Sequence, residues 1–350
     1  DGISIFEPHR APDGNFPNVP DHLPNPENTR VFEPIVEQAK QDDIGLVLAS
    51  DPDADRIAAS VRCSKTGEYV VLSGNQIGAL ICDYIVSKRS AARPPIDGAI
   101  GNPFTSHLTS SHYIVETLVT TQLTAAIAKA AGLKVVDELL VGFKFIGEAM
   151  DQHGPEKFVF GTEESLGYLA GDYARDKDAA IAALYLSELA AELDADGKTL
   201  LDHLNGLYAE HGYYSERQRN DYAYGPAGKG LIDGLMETLR TSPPDELGGV
   251  TLTSVSDYGS HEVRELPSNA KSAGLPQPKG NLLIFHGTHD DCRIRFAARP
   301  SGTEPKIKFY LFAEPHGPAG KDVAGHRART EARLDEFEAA LGSWIEPKLK

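Results

Sequence analysis

Three carboxylates follow a short apolar run in the stretch IGLVLASDPDADRIAAS (44–60). Asp51, Asp53 and Asp55 alternate along this stretch, and Arg56 comes directly after them. In an extended or turning backbone, residues at this spacing aim their side chains toward one point. Two like charges about 4 Å apart repel by about 1 kcal/mol in water and about 4 kcal/mol near a protein surface. The spacing therefore predicts a cation among the three aspartates.

The kind of cation follows from the residues around the aspartates. A calcium-binding EF-hand needs glycine at the sixth loop position and glutamate at the twelfth, where this chain has Arg56 and Arg62. A small hard cation such as Mg2+, with positions left for a phosphate oxygen, fits carboxylate ligands best. Two alternatives stay open at this point: an aspartyl nucleophile of the haloacid-dehalogenase type, and a solvated acidic turn.

A second polar loop, ARPSGTEPK (298–306), has side chains suited to holding phosphate. It combines a forked guanidinium, two hydroxyl groups, a glycine that lets the backbone come close, and an ammonium group. The candidate phosphate-binding residues are Arg299, Ser301, Gly302, Thr303 and Lys306. The alternative is a plain hairpin turn, since Pro-Ser-Gly also forms turns without a ligand.

Two further clusters contain residue types that can bind a polyol or a metal ion, but their patterns are less specific. GTEESLGY (161–168) contains Glu163, Glu164 and Ser165, which either bind the hydroxyl groups of a polyol or only begin a helix. HGTHDD (286–291) has residue types for metal binding, but it lies where two strands must be joined. Since Asp-rich turns are common, we predict a turn there.

Composition and charge limit the class of protein. The chain of 350 residues, 41% hydrophobic and 24% charged, has the composition of a globular protein of two or three domains. Its formal net charge of -17 argues against broad binding to nucleic acid or to an anionic membrane surface. An anionic ligand must therefore meet a local basic site.

Cysteine usage and hydropathy indicate the compartment. Cys63, Cys82 and Cys292 are far apart and form no Cys-x-x-Cys pair, which supports neither a disulfide framework nor a zinc knuckle. The longest apolar stretch (179–193) carries charges and is too short to span a bilayer, and the first residues lack a signal-peptide pattern. We therefore predict a cytoplasmic protein without a membrane partner.

The hydrophobic pattern predicts the elements that position these loops. Strand and helix patterns alternate up to about residue 212, which favours parallel strands in a sheet covered by helices. IGLVLAS (44–50) is predicted as a strand buried on both faces, with the aspartates at its carboxyl end. A helix is predicted behind the caps Ser73 and Asn75, and an inserted loop over 90–112. Further strands are predicted at YIVETLV, LKVVDEL and KFVFG, and further helices at TTQLTAAIAKAAG, GFKFIGEAMDQ and 177–195.

The pattern changes after about Gly212. A helix is predicted at GKGLIDGLMETLR, strands at NLLIFHG, RIRFAA and KIKFYLFAE, and a closing helix near 321–342. One helix, several strands and one more helix are typical of an α+β domain. The predicted fold class is thus α/β, with mixed sheets between helices, plus a smaller C-terminal α+β domain.

The chain resembles the α-D-phosphohexomutase family, in particular its phosphoglucomutase/phosphomannomutase branch, in four motifs that occur in the family's order. These are DPDADR (51–56), VGFKFIG (141–147), GTEESLGY (161–168) with the later RDKDAA, and RPSGTEPK (299–306). Four motifs in order are far more specific than any one of them. The resemblance covers nearly the whole chain. It implies phosphoryl transfer from an enzyme phosphoserine to a sugar monophosphate, through a bisphosphate that turns around and returns its other phosphate.

The resemblance also implies a division into domains, since the family has three related α/β domains and a smaller fourth domain around a cleft. Here the C-terminal part of domain 2, with the metal loop, would span 1–73. Domain 3, with the sugar-binding loop, would span 74–212, and domain 4, with the phosphate-binding loop, 213–350. Residues 1–50 contain no phosphoserine loop of the Thr-Ala-Ser-His-Asn-Pro type. We therefore expect the chain to lack the N-terminal phosphoserine domain and to be inactive by itself.

The resemblance assigns roles to the residues at matching positions. The magnesium ligands would be Asp51, Asp53 and Asp55. Arg56 would help to hold the phosphoserine, Lys177 would lie beside the substrate, and Glu163 and Ser165 would bind sugar hydroxyls. The phosphate that is not being transferred would be held by Arg299, Ser301, Gly302, Thr303 and Lys306.

The activity implied is that of a hexose-phosphate mutase with a small-molecule sugar phosphate as substrate. Mg2+ and glucose 1,6-bisphosphate, or a related hexose bisphosphate, would be its cofactor and activator. Two alternatives remain open. One is phosphopentomutase-like or glucose-1,6-bisphosphate synthase-like activity in the parent protein, and the other is a non-catalytic sugar-phosphate-binding protein.

Overall fold

The structure is a computed structural model in which the chain forms two compact units, Asp1–Asn205 and Gly206–Lys350. The described residues are 2–91, 107–275, 279–289, 292–302 and 304–350. Most of the segment 90–112, predicted as an inserted loop, lies outside them, and so does Thr303 of the candidate phosphate-binding residues.

The first unit begins with a loop-rich segment and continues with strands and helices. Its strands are β1 Leu46–Ser50, β2 Ile57–Arg62, β3 Tyr69–Val71, β4 Tyr113–Thr117, β5 Lys134–Leu139, β6 Phe158–Glu163 and β7 Gly167–Ala170. Its helices are α1 Glu33–Gln41, α2 Gly74–Ala91, α3 Gln122–Ala130, α4 Phe143–His153 and α5 Ala179–Ala195, and α6 Leu200–His211 runs across the division between the units. Short 3-10 turns lie at Glu7–His9, Pro20–His22, Thr29–Phe32 and Pro155–Lys157.

Strands β1, β2 and β3 form a three-stranded antiparallel sheet in chain order. The prediction that the first strand is buried on both faces is wrong, because within β1 only Val47 is buried. An antiparallel sheet needs cover on only one face, and here β1 and β2 both contact α5. The aspartates therefore lie in the turn of a β-hairpin and not at the end of a parallel strand.

The second sheet has the strand order β5-β4-β6-β7. Strands β4, β5 and β6 are parallel, and β7 is antiparallel to β6, so the sheet is mixed. Helix α4 packs on the face that carries Tyr113 and Val115, and Ile114 points to the opposite face. The predicted α/β class with a mixed sheet is confirmed.

Helix α2 begins where the sequence predicts because Ser73 caps it. The Ser73 Oγ accepts the backbone N–H of Gln76 at 3.2 Å, and the Gln76 Oε1 accepts the backbone N–H of Ser73 at 3.0 Å. This reciprocal pair is a capping box. The Oδ1 of Asn75, also predicted as a cap, instead accepts the backbone N–H of Thr121 at 3.1 Å. Asn75 therefore ties the start of α2 to the start of α3.

The second unit is built on one large antiparallel sheet and two helices. Its strands are β8 Ser215–Tyr222, β9 Glu246–Leu247, β10 Val250–Asp257, β11 Glu262–Glu265, β12 Ala270–Gly274, β13 Leu283–Thr288, β14 Cys292–Pro300 and β15 Lys306–Pro315. Its helices are α7 Gly228–Thr241 and α8 Val323–Ile345, followed by a 3-10 turn at Glu346–Lys348. The strand order is β12-β11-β10-β13-β14-β15-β8, with β9 beside β10, which confirms the predicted α+β class.

The core of the second unit lies between the sheet and its helices. Residues of α7 and α8, among them Leu235 and Phe337, pack with Phe285, Phe296 and Phe309 of the central strands. The rings of Phe285 and Phe296 are stacked with centroids 4.5 Å apart. Because side chains alternate along a strand, the neighbours of these core residues point away from the helices.

Several smaller predictions concern loops and thiols. Strands β13 and β14 form an antiparallel pair, as the predicted turn at HGTHDD requires, although Asp290 and Asp291 of that motif lie outside the described residues. The three cysteines are free thiols. Within the described ranges, no helix combines the length and the apolar character needed to cross a membrane.

Asp257 at the end of β10 is held by two arginines. Its side chain is 1% exposed and accepts hydrogen bonds from Arg240 Nε at 3.3 Å, Arg264 Nη1 at 3.2 Å and the backbone N–H of Gly259 at 2.9 Å. Burial alone would raise the pKa of Asp257, but the Gly259 N–H and the two guanidinium groups outweigh burial and hold it below its usual value. The ionised carboxylate therefore stabilises the fold.

We expect Asp257→Asn to lower the free energy of unfolding by about 2 kcal/mol at pH 7, because it leaves two guanidinium groups without their counter-charge. Since the folded-state pKa is lowered, the contribution of the carboxylate is complete above the unfolded-state pKa near 3.8 and disappears as the pH falls through the folded-state pKa. Urea unfolding between pH 7 and pH 3 should show a constant difference from wild type that shrinks below about pH 4. A difference that grows on acidification would contradict this account.

Candidate functional site

The turn between β1 and β2 brings the three predicted aspartates together. One carboxylate oxygen from each of Asp51, Asp53 and Asp55 lies within 4.8 Å of the others. Asp51 is buried, Asp55 is half-buried and Asp53 is exposed. A cation that approaches this aspartate turn (51–56) from solvent therefore meets Asp53 first.

Asp51 shapes the aspartate turn from inside. Its Oδ1 accepts the backbone N–H groups of Asp55 and Arg56, both at 3.1 Å, and its Oδ2 accepts Arg56 Nε at 2.7 Å. Burial alone would raise the pKa of Asp51, but the backbone and guanidinium hydrogen bonds from Arg56 outweigh it and hold the pKa below its usual value. Asp51 is therefore an ionised carboxylate with a fixed orientation.

Ala54, in the middle of the turn, fixes the start of helix α5. Its φ of +55° lies in the left-handed region, which costs about 1 kcal/mol for a residue with a side chain. In this conformation its N–H donates to the carbonyl of Asp51 at 3.1 Å, and its carbonyl accepts the N–H of Ala179 at 3.0 Å. The segment just before α5, which contains Lys177, is thereby held against the aspartates.

Lys177 forms an ion pair with the aspartate turn. Its Nζ is 2.7 Å from Asp55 Oδ2 and 3.3 Å from Asp176 Oδ1. Burial alone would lower the pKa of Lys177, but the hydrogen bond from Lys177 to Asp55 and the two negative charges raise it. Burial raises the pKa of Asp55 and the neighbouring Asp51 adds to this, although Lys177 acts in the opposite direction. The single ammonium group thus leaves an excess of negative charge in the turn.

The environment of one oxygen of Asp55 indicates whether the residues of the turn fit a metal ion. Asp55 Oδ1 is buried, and within the part of the chain that the structure describes it has no hydrogen-bond partner. Arg56 Nε lies 3.5 Å from this oxygen. Converging carboxylate oxygens, one of them without a hydrogen bond, are the ligands that Mg2+ prefers in proteins. The residues present fit that ion.

The arginine of the turn has partners that sequence reasoning missed. Arg56 Nη1 is 3.3 Å from Asn25 Oδ1 and 3.7 Å from Glu27 Oε1. Burial alone would lower the pKa of Arg56, but its hydrogen bond to Asp51 and the acidic groups around it raise it. Both partners lie in LPNPEN (23–28), where Asn25 stands between two prolines and Glu27 follows the second. This local pattern does not predict a contact with Arg56.

GTEESLGY forms a hairpin next to the aspartate turn. The sequence allows either a sugar-binding loop or only the start of a helix here. The helix start is wrong, because 167–170 forms strand β7, which pairs with β6. The short run GYLA is buried against the core, which local sequence does not show. The carbonyl of Leu166 accepts the N–H of Ile57 at 3.2 Å, and Arg56 forms an isolated bridge with Gly167.

Gly167 is required by the close approach of Lys177. A Cβ at this position would lie 2.7 Å from Lys177 Cδ and 3.4 Å from Phe143 Cδ2. A larger residue would therefore displace the aliphatic stem of Lys177 from the hairpin. The ring of Phe143 also lies beside this lysine, with its centroid 6.0 Å from Nζ.

Glu163 and Ser165 occupy different environments within the hairpin. Glu163 is 4% exposed, and its Oε1 accepts the backbone N–H of Gly142 at 2.6 Å. This contact joins the motif VGFKFIG (141–147) to GTEESLGY, although the two are about 20 residues apart in sequence. Ser165 is half-buried in the turn. The first unit thus places the candidates Asp51, Asp53, Asp55, Arg56, Glu163, Ser165 and Lys177 on neighbouring turns.

The remaining candidates lie in the second unit, in the phosphate loop (299–306) between β14 and β15. The N–H of Ser301 donates to the carbonyl of Lys306 at 2.9 Å, and the Ser301 Oγ accepts the N–H of Glu304 at 3.3 Å. The ammonium of Lys306 pairs with Glu304. Among the described residues outside its chain neighbours, no atom lies within 4 Å of where a Cβ of Gly302 would be, so their packing does not require a glycine there. Strands β14 and β15 pair as an antiparallel hairpin on either side of the loop.

Two family models match the chain. The model described as phosphoglucomutase/phosphomannomutase, alpha/beta/alpha domain II, matches residues 2–65, and the model of alpha/beta/alpha domain III matches residues 73–211. Together they cover more than half of the chain and include the turns that carry the aspartates and Glu163. The chain belongs to the phosphoglucomutase/phosphomannomutase family. The resemblance inferred from the four motifs is confirmed at the level of the family.

Individual relatives agree with this assignment. The chain is 32% identical over 312 residues to a phosphoglucomutase of Staphylococcus aureus strain bovine RF122, which covers 88% of this chain and 51% of the relative. The phosphoglucomutase of strain MRSA252 matches to the same extent. The chain spans about half the length of these curated relatives.

A solved structure of a phosphoglucomutase/phosphomannomutase family protein from Burkholderia thailandensis is similar in fold. The TM-score is 0.52 at 19% identity. The match covers 96% of this chain and 54% of that protein. At this identity the likeness supports the fold alone.

The aspartates should differ in their effect on stability when no metal is present. We expect Asp51→Asn to lower the free energy of unfolding by about 2 kcal/mol, because Arg56 loses its buried counter-charge. Asp53→Asn should instead raise the free energy of unfolding by about 1 kcal/mol, because it removes one of three mutually repelling carboxylates at a position where solvent screens the charge. Urea unfolding in the presence of a chelator measures both. If Asp53→Asn were the more destabilising of the two, the assignment of Asp51 as the structural aspartate would be wrong.

Proposed function

We propose that this chain provides the metal- and substrate-binding loops of a phosphosugar mutase that moves a phosphoryl group between the 1- and 6-positions of a hexose. The observation that carries the proposal is the aspartate turn, in which three carboxylates converge and one buried oxygen of Asp55 has no hydrogen bond among the described residues. The relatives of 32% identity are phosphoglucomutases, which supports the same reaction class.

In this proposal the first unit handles the phosphoryl group that is transferred. Asp51, Asp53 and Asp55 would hold Mg2+, which would supply positive charge to a phosphoryl oxygen. Arg56 holds the phosphate of an enzyme phosphoserine through the part of its guanidinium that Asp51 leaves available. Lys177 lies beside the substrate, where its ammonium group counters negative charge that develops on the transferring group.

The reaction has two phosphoryl transfers. In the first, a hydroxyl oxygen of the sugar monophosphate bonds to the phosphorus of the phosphoserine as the bond from phosphorus to the serine oxygen breaks, and the proton that the hydroxyl releases ends on the serine oxygen. The resulting bisphosphate turns around, and the serine oxygen then takes the other phosphoryl group by the same displacement in reverse. Glucose 1,6-bisphosphate, or a related hexose bisphosphate, acts as activator because it restores the phosphoserine.

The sugar and the phosphate that is not transferred are held by the other candidate residues. Glu163 and Ser165 bind sugar hydroxyls. The phosphate is bound by Arg299, Ser301, Gly302, Thr303 and Lys306. Arg299 is half-buried on β14 and gives a forked contact that fits two phosphate oxygens.

We also propose that the domain boundaries fall near residues 73 and 212, which gives the parts 1–73, 74–212 and 213–350. The matches to the two family models end at residues 65 and 211, which supports both boundaries. The aspartate turn, the Glu163 hairpin and the phosphate loop then belong to three successive domains.

A non-catalytic sugar-phosphate binder is the second candidate for the chain by itself. The observation that favours it is that residues 1–50 contain no Thr-Ala-Ser-His-Asn-Pro motif ahead of the aspartate turn. We therefore expect the chain alone to give no interconversion of glucose 1-phosphate and glucose 6-phosphate with Mg2+ and glucose 1,6-bisphosphate present. A coupled assay on a preparation of verified mass measures this, and turnover that a chelator abolishes would contradict the expectation.

Substitution of Arg299 tests the phosphate loop directly. Arg299→Lys keeps the charge but loses the fork, and each charge-assisted hydrogen bond contributes about 1.5 to 3 kcal/mol. We expect the affinity for glucose 6-phosphate, measured by calorimetry on the chain, to fall by about tenfold or more. Glucose without phosphate should show no such effect.

Arg293 offers a matched control for this measurement. It lies on the same strand as Arg299 but at the other end, where it is exposed and 3.8 Å from Glu314. Arg293→Lys should therefore leave the affinity for glucose 6-phosphate unchanged. Equal affinities in wild type and Arg299→Lys would show that the phosphate loop is only a turn.

A further inference from the structure

Two exposed tyrosines lie beside the phosphate loop. Tyr222 is the last residue of β8, and Tyr224 follows two residues later. Their rings are stacked, with centroids 5.8 Å apart and planes 9° from parallel. Tyr222 is 42% exposed and Tyr224 is 82% exposed, so burial in the core does not account for the pair. Each ring covers one face of the other, so the pair presents its outer faces and edges to solvent, with Tyr224 the more exposed of the two.

The backbone fixes the position of the tyrosines relative to the phosphate loop. Tyr222 pairs with Lys306 across β8 and β15, and the ring centroid of Tyr222 is 5.7 Å from Lys306 Nζ. The N–H of Ala223 donates to the carbonyl of Pro305 at 2.9 Å. The segment that carries both rings is therefore attached to the loop by ladder and turn hydrogen bonds.

Strand alternation places the rings on the same side of the sheet as the basic residues of the loop. Ile307 belongs to the core under the helices, so its neighbours Lys306 and Lys308 point to the opposite face. Arg299 lies opposite Lys308 in the ladder, and Tyr222 lies opposite Lys306. Since directly opposed residues share a face, three cationic side chains and the ring of Tyr222 lie on one face.

We propose that Tyr222 and Tyr224 form an aromatic platform against which the sugar ring of a bound phosphosugar packs. This inference rests on the proposed role of the phosphate loop, and it adds a contact for the sugar. Lys306 Nζ lies 5.7 Å from the centroid of the Tyr222 ring, so a phosphate held by Arg299 and Lys306 would bring its sugar next to the two rings. The apolar C–H face of a hexose suits an aromatic face, whereas the cations suit only the phosphate.

Comparison of two ligands separates the platform from the loop. Calorimetry of the chain is carried out with glucose 6-phosphate and with inorganic phosphate, on wild type and on Tyr222→Leu and Tyr224→Leu. We expect each leucine variant to weaken glucose 6-phosphate binding by about three- to tenfold and to leave inorganic phosphate binding within about twofold. Tyr222→Phe and Tyr224→Phe keep the rings and should bind both ligands like wild type.

Each other outcome counts against the platform. An equal loss for both ligands would mean that the tyrosines act through the loop, and no loss for either would mean that the sugar does not touch them. If Arg299→Lys weakens both ligands while the leucine variants bind like wild type, the phosphate loop stands and only the platform is overturned. If Arg299→Lys changes neither affinity, the loop assignment fails and the platform fails with it.

Circular dichroism checks the folding of each variant. Because Tyr224 lies outside the strand, Tyr224→Leu keeps the test available if Tyr222→Leu unfolds.

Discussion

Repulsion among the three carboxylates of the aspartate turn is the constraint on which the first unit depends. Their oxygens lie within 4.8 Å of one another, where a pair of like charges repels by about 1 kcal/mol when solvent screens it and by about 4 kcal/mol when it is half-buried. The chain offsets part of this cost by burying Asp51 against Arg56 and by pairing Asp55 with Lys177. These contacts, together with the left-handed Ala54, join the β1–β2 turn to the start of α5. The groups that balance the charge are therefore the groups proposed to handle a phosphoryl group.

In the proposed function, the second unit binds an anion in a different way from the first. A chain with a net charge of -17 repels phosphate in general, so the attraction must come from a local arrangement of cations. Alternation along β14 and β15 sends apolar side chains such as Phe296 and Phe309 to the core and leaves Arg299, Lys306 and Lys308 on the opposite face. The same packing that stabilises the sheet thus concentrates positive charge beside the loop.

The sequence predicted those features of the structure that depend on interactions between residues close together in the chain. The spacing of the aspartates predicted their convergence, and Ser73 predicted the start of α2 through its capping box. Strand β7 and strand β8 were not predicted, because GYLA is too short for a pattern and SERQRNDY is polar and is a strand only through its pairing with β15. The contact of Asn25 with Arg56, 31 residues apart, is tertiary and has no local pattern. The strand before the aspartates was predicted as buried on both faces because its apolar run does not reveal that its neighbour is antiparallel.

The most direct measurement of the central claim is a calorimetric titration of the chain with Mg2+, on wild type, Asp53→Asn and Asp233→Asn. Asp233 is an exposed aspartate on α7 in the other unit and serves as the control. The account predicts saturable binding to wild type and to Asp233→Asn, and an affinity about tenfold or more lower for Asp53→Asn, because a carboxylate ligand is lost from the turn. No saturable binding to wild type, or equal affinities in wild type and Asp53→Asn, would contradict it.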